Sequence, residues 1–200
     1  MASLCAKQGT GRKLASGTSA YLMEDPMADE QPKNDTQVTR EQLIELLNED
    51  LAREYQAIIA YVVYSQMLKG AQYMAIAKEL ETHAGEELEH ALIVSKLIDY
   101  LGGEPTVTAK PVKTSEKAED MLRFDLDNEN ETVRNYRERV TQCEALGEYA
   151  MAEHLRDILK QEQEHQIDLA TALGEDVPDV SKLKADRPKG QAQGRPANIH

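Results

Sequence analysis

Aromatic residues are scarce in this chain: it has no tryptophan, one phenylalanine and eight tyrosines in 200 residues. A core must therefore come largely from aliphatic side chains. Leu, Ile, Ala, Met and Glu dominate the middle of the chain, which favours helix. Cysteine is nearly absent too. Cys5 and Cys143 alone make no disulfide framework, which points to a reducing, cytoplasmic setting. No apolar run reaches 18 residues, so nothing is expected to span a membrane. Positive charge is in deficit. A net charge of −13 argues against tight, whole-surface binding to nucleic acid or anionic membrane, and it suits a soluble protein that attracts cations. The length is enough for one domain with a substantial core.

Both ends read differently from the middle. The first 22 residues carry Lys7, Arg12 and Lys13, no acid and no continuous apolar stretch, which excludes a secretory signal. A disordered extension, with a natural-looking start at Met27, is preferred to an organelle transit peptide. Residues 1–38 and 175–200 are polar and rich in turn formers, and both are expected to be disordered, leaving a folded domain over 39–174.

Within that domain the apolar period is helical. Thr39 and Gln42 form a capping box, followed by Leu43, Leu47, Leu51, Glu54, Ile58, Tyr61 and Ser65 on one face as far as Gly70. A second helix is predicted from about Ala71 to Leu101, with Met74, Ala77, Leu80, His83 or Ala84, Glu87, His90, Val94 and Leu97 inward. The short link makes these two helices antiparallel neighbours. Residues 102–114, with two prolines, are not helical. Extended, they reach roughly 43 Å, about the length of the preceding helix, so the third helix starts at the opposite end of the bundle. That helix carries Leu122, Leu126, Glu129, Val133, Tyr136, Val140 and Cys143 inward and stops at Gly147. The fourth carries Leu155, Ile158, Glu162, His165, Leu169 and Leu173 and stops at Gly174. The fold class is all-α, a four-helix bundle with one long crossover between its second and third helices.

Inside these stripes sits a repeated constellation. Glu87-x-x-His90 and Glu162-x-x-His165 are 75 residues apart, and each follows a lone glutamate, Glu54 or Glu129, by 33 residues. A bundle that holds two metal ions needs this inventory: one Glu from each of two helices and Glu-x-x-His from each of the other two. Positions i and i+3 share a helix face. Four buried carboxylates without cations would repel strongly, whereas two divalent ions balance their charge. One copy alone would read as a solvated acidic face; two matched copies inside apolar stripes do not. Carboxylate and imidazole donors with open positions suit Fe or Mn better than Zn. Glu87 and Glu162 are expected to bridge the ions, with Glu54 and His90 completing one and Glu129 and His165 the other.

These residues resemble the ferritin-like superfamily, bacterioferritin above all, over roughly residues 40–174. The resemblance lies in LLNEDLAREYQAIIAY, GEELEHA, EDMLRFDLDNENE and LRDILKQEQEHQIDL. It implies a di-iron ferroxidase with two Fe ions per chain (Mn being the other metal), which oxidises Fe(II) with O2 or H2O2 for iron storage or detoxification in a homo-oligomer, a dimer or a cage. Three departures shape the expectation. Bacterioferritin places its haem-ligating Met directly after the bridging Glu of the second helix; Leu88 stands here, so no haem is expected. No fifth helix is readable after Gly174, which leaves the size of the cage open. Rubrerythrins add a Glu where this chain has Thr132, and usually a Cys-x-x-Cys unit that is missing. A rubrerythrin-like peroxidase or a manganese catalase therefore ranks second.

Other residues carry weaker signals. Tyr61 and Tyr136 each lie seven residues after a terminal Glu, where a phenol can bond a ligand carboxylate and supply an electron. Asp125 is a candidate to orient a ligand histidine, and His83 to relay iron, against readings as ordinary solvated or core residues. Glu86, Glu89 and Glu164 read as solvated face, and Cys143 as a small core residue. The basic tail (Lys182, Lys184, Arg187, Lys189, Arg195) resembles that of DNA-protecting mini-ferritins, but a solvated tail is the preferred reading.

Overall fold

The structure, a computed structural model, describes residues 38–182. Of the extension expected over 1–38, residues 1–37, Met27 among them, lie outside the described residues, as do the basic residues from Lys184 onward. Four α-helices, and no strand, occur among the described residues: α1 (Arg40–Met67), α2 (Met74–Tyr100), α3 (Ala118–Ala145) and α4 (Tyr149–Leu173). Among the described residues no helix is long and apolar enough to cross a membrane.

Local chemistry sets the ends. The Thr39 hydroxyl accepts from Gln42 N at 3.2 Å, and Thr39 N donates to Gln42 Oε1 at 2.9 Å, closing the predicted capping box at the start of α1. Gly174 ends α4 at φ 70°, a left-handed conformation that glycine adopts without strain. α2 begins later than expected. A 3-10 turn over Ala71–Tyr73 precedes it, and Met74, predicted inward, is 72% exposed while Ile76 is buried. The extra turn rotates the first residues of the helix away from the core stripe.

Helix α1 packs on α2, and α3 on α4. The crossover follows α1 by hydrogen bonds. Asn48 Nδ2 donates to Glu104 O at 3.1 Å, Lys110 N to Ala52 O at 3.0 Å and Gln56 Nε2 to Pro111 O at 2.6 Å, while the Tyr64 phenol donates to Lys113 O. Each later crossover residue meets a later position of α1. The strap thus travels the length of α1 and delivers α3 to its far end, so α3 runs parallel to α2 and antiparallel to α1.

Among the described residues the core has two apolar clusters. One joins Leu43, Leu47, Leu51, Val94, Ile98, Tyr136, Cys143, Leu155 and Ile158. The other joins Tyr61, Tyr64, Leu80, Met121, Leu122, Leu126 and Leu169. On every helix the residues of the two clusters flank the Glu and His positions of the constellation, so the polar layer lies sealed between them. Past α4, Val180 is buried and Gln166 Nε2 donates to Pro178 O at 3.3 Å, which lays residues 178–180 against the helix.

Candidate metal centre

All six predicted residues meet in that layer, and each is at most 2% exposed: Glu54 on α1, Glu87 and His90 on α2, Glu129 on α3, Glu162 and His165 on α4. They form two groups whose ligand atoms lie within 4.8 Å of one another, Glu54–Glu87–His90–Glu162 and Glu87–Glu129–Glu162–His165. Glu87 and Glu162 belong to both groups. His90 Nδ1 stands 3.0 Å from Glu162 Oε1, 3.3 Å from Glu87 Oε2 and 3.5 Å from Glu54 Oε2. His165 Nδ1 stands 2.9 Å from Glu87 Oε1 and 3.6 Å from Glu162 Oε2. Donor atoms that share one ion at about 2.1 Å stand about 3 Å apart, so these separations match a common coordination sphere.

Hydrogen bonds do not account for the cluster. Glu54 Oε2, Glu87 Oε1, Glu129 Oε2, both oxygens of Glu162 and His165 Nδ1 are buried without a hydrogen-bond partner. Close approach is not bonding here: His165 Nδ1 and Glu87 Oε1 are near but poorly aligned. Buried polar atoms are normally satisfied, so six orphans converging on one layer fit a cation pair.

The titration behaviour follows from burial and pairing. Burial, with repulsion from Glu162 and Glu87, raises Glu54 and Glu129 well above the usual carboxylate range. Burial also works against charge on Glu87 and Glu162, but the adjacent His165 and His90 imidazoles outweigh it and pull both down. Burial disfavours the imidazolium forms, yet the close carboxylates of Glu162 and its neighbours push His165 up to about 12 and raise His90 as well. The directions run together: the two imidazoles are driven toward their protonated form, Glu87 and Glu162 toward carboxylate, and Glu54 and Glu129 toward the neutral acid.

The surroundings repeat the 75-residue offset. Tyr61 on α1 donates to Glu129 on α3, and Tyr136 on α3 donates to Glu54 on α1. Each phenol reaches the terminal glutamate of the opposite helix, not the one seven residues before it. Burial raises both phenol pKa values, Glu129 and Glu54 adding to it, so both stay protonated donors. His90 Nε2 meets Gln161 Oε1 at 2.9 Å and His165 Nε2 meets Glu86 Oε2 at 2.8 Å. Those contacts turn each Nδ1 toward the carboxylates and fix the tautomer a metal ligand needs.

Two expectations are corrected here. Glu86 is not merely solvated face: its side chain is 33% exposed and holds His165. Asp125 orients no histidine; it is 2% exposed, Oδ2 has no partner, and burial raises its pKa well above the usual range. Glu86 and Gln161 take that role, and the signal was available, because they directly precede Glu87 and Glu162 and are themselves 75 residues apart. Glu89 and Glu164 are exposed. His83 is 2% exposed, its ring 4.0 Å from that of His165, and burial pushes it down to about 4. A cavity of about 10 Å³ adjoins the layer beside Arg53, Glu54, Glu87, Glu129, Thr132 and Glu162, room for one water-sized molecule.

Known proteins resemble this chain in sequence and fold. The sequence matches the ferritin-like domain over residues 44–176. Bacterioferritin of Brucella melitensis is 27% identical over 141 residues, which cover 67% of this chain and 88% of that protein. A ferritin-like, diiron-carboxylate protein from Bacillus anthracis superposes with a TM-score of 0.65 at 34% identity, over 67% of this chain and 96% of that one. A dodecameric thioferritin, the bacterioferritin-related protein from Bacteroides fragilis, gives 0.64 at 25% identity, over 69% of this chain and 88% of that one. With its four helices, long crossover and buried carboxylate–histidine layer, the chain belongs to the ferritin-like family.

Proposed function

We propose that this protein is a non-haem di-iron ferroxidase that oxidises Fe(II) with O2 or H2O2 in iron storage or detoxification. The observation that carries the reading is the set of six orphaned donor atoms converging in one sealed layer. Glu54, Glu87, His90 and Glu162 would hold one iron, and Glu87, Glu129, Glu162 and His165 the other. Each ion supplies one electron to the oxidant when the site is loaded.

The chain's own residues do the rest. Glu87 and Glu162, held ionised, attract Fe(II) before the outer glutamates deprotonate. Tyr61 and Tyr136 fix the outer carboxylates, and Tyr61 is placed to donate an electron or a proton next to Glu129. Gln161 and Glu86 hold the histidines. The two apolar clusters exclude bulk water. By likeness to the dodecameric relative, the working form is a homo-oligomer, and the cysteine-poor, acidic composition suits the cytoplasm.

Anaerobic Fe(II) titration is expected to load two ions per chain, followed by fast oxidation on admitting air. Oxidation unchanged by Glu87→Ala with Glu162→Ala would sink the assignment. Retention of far more iron than the two bound ions marks storage; peroxide turnover with two metals retained marks the peroxidase alternative. Native mass with and without iron reads the assembly.

A further inference from the structure

The two halves of the site are not equivalent. The 75-residue counterpart of His83 is Ile158, which is buried in an apolar cluster. His83 therefore adds an imidazole on the His165 side only. It is 2% exposed, its Nδ1 has no hydrogen-bond partner, and its Nε2 lies 3.3 Å from Asp168 Oδ2 on α4. One turn earlier on α2, Glu79 brings a second carboxylate, and ligand atoms of Glu79, His83 and Asp168 lie within 4.8 Å of one another.

The group is more than a His–Asp pair, because Glu79 brings a second carboxylate to the same imidazole. Two like-charged carboxylates beside one imidazole offer a cation a favourable place between them. The 3.3 Å spacing of Nε2 and Oδ2 is what two donors on one ion at about 2.1 Å require. Access is open on the solvent side. A groove of about 260 Å³ between α2 and α4 is lined by Glu79 and Asp168 together with Gln72, Ile76 and Thr171. Glu79 is exposed and the Asp168 side chain is 43% exposed, so an arriving ion meets the carboxylates first and the buried imidazole last.

We propose that Glu79, His83 and Asp168 form a third divalent-cation site, on the surface of the bundle between α2 and α4. One imidazole with two carboxylates favours a first-row transition ion such as Fe(II), Mn(II) or Co(II) over Mg(II) or Ca(II), with water filling the remaining positions. Three ligands at an open groove make this the weakest and most exchangeable of the three positions. None of its three residues is a ligand of the buried pair, so the two assignments stand or fall separately.

Co(II), which does not oxidise under these conditions, is the probe. Anaerobic equilibrium dialysis of the full chain is expected to retain three ions. Glu79→Gln with Asp168→Asn, both surface changes, is expected to lower the count by one and leave the buried pair loaded. Glu87→Gln with Glu162→Gln is expected to leave one ion, whose visible spectrum is lost on adding Glu79→Gln and Asp168→Asn. A Co(II) count indifferent to the surface pair overturns the third site; a count indifferent to the buried substitutions overturns the buried pair instead.

Discussion

Tyr61 on α1 donates its phenolic hydrogen to Glu129 on α3, 68 positions later in the chain. Tyr136 returns the same bond to Glu54. The crossed bonds tie the two helices that contribute a single glutamate each, and they hold the outer carboxylates at the rim of the layer. Removing a partner that orients a metal ligand typically costs about 10–100-fold in affinity or activity. Tyr61→Phe is therefore expected to weaken the second ion bound, on the Glu129 side, by that factor, and Tyr136→Phe the ion on the Glu54 side. Stepwise anaerobic titration resolves the two. Equal weakening of both ions by either variant would contradict the crossed arrangement.

Metal binding is expected to release protons. Glu54, Glu129, His90 and His165 all have raised pKa values, His165 to about 12, so each is driven toward its protonated form. A raised pKa means the proton is kept until the pH climbs past it, so acid strengthens the competitor and affinity rises with pH. Loading both ions should expel protons from these groups, as read in a weakly buffered titration. Binding without proton release, at an affinity flat from pH 6 to 8, would show that the four groups were already deprotonated.

Away from the layer, Arg139 Nε donates to Asp50 Oδ2 at 2.7 Å, and the two residues are 4% and 2% exposed. Burial raises the Asp50 pKa even against the pull of Arg139. Arg139→Ala strands the carboxylate and is expected to destabilise the fold by about 3–5 kcal/mol, whereas Arg139→Met with Asp50→Leu should be near neutral. Urea unfolding of the three proteins, with the slope unchanged, is the measurement.

Gly103 marks the start of the crossover. A Cβ there would lie 2.4 Å from Ile44 Cγ2 and 3.0 Å from Ile98 Cγ2, methyls on stiff branched side chains. Gly103→Ala is expected to cost about 1–3 kcal/mol by overpacking. Ile44→Ala in the same chain should recover part of that loss. A thermal melt of Gly103→Ala indistinguishable from the parent would mean that the strap shifts freely.

The repeat that gives Glu87 and Glu162 their places was legible in the sequence because helical geometry is local. A residue and its neighbours at i+3, i+4 and i+7 share a face whatever the rest of the chain does. So the capping box at Thr39, the stops at Gly70, Gly147 and Gly174, the long crossover and the six-residue inventory could all be written down from residue order. Contacts between helices obey no such local rule. The axial offset of α1 against α3 decided that Tyr61 meets Glu129 and not Glu54. The rotation of α4 against α2 placed Glu86 on His165 and Gln161 on His90, left Asp125 without a histidine, and set His83 beside Asp168. Those offsets come from how Leu47, Leu80, Leu122, Leu155 and their neighbours interlock, a property of all four helices packed together.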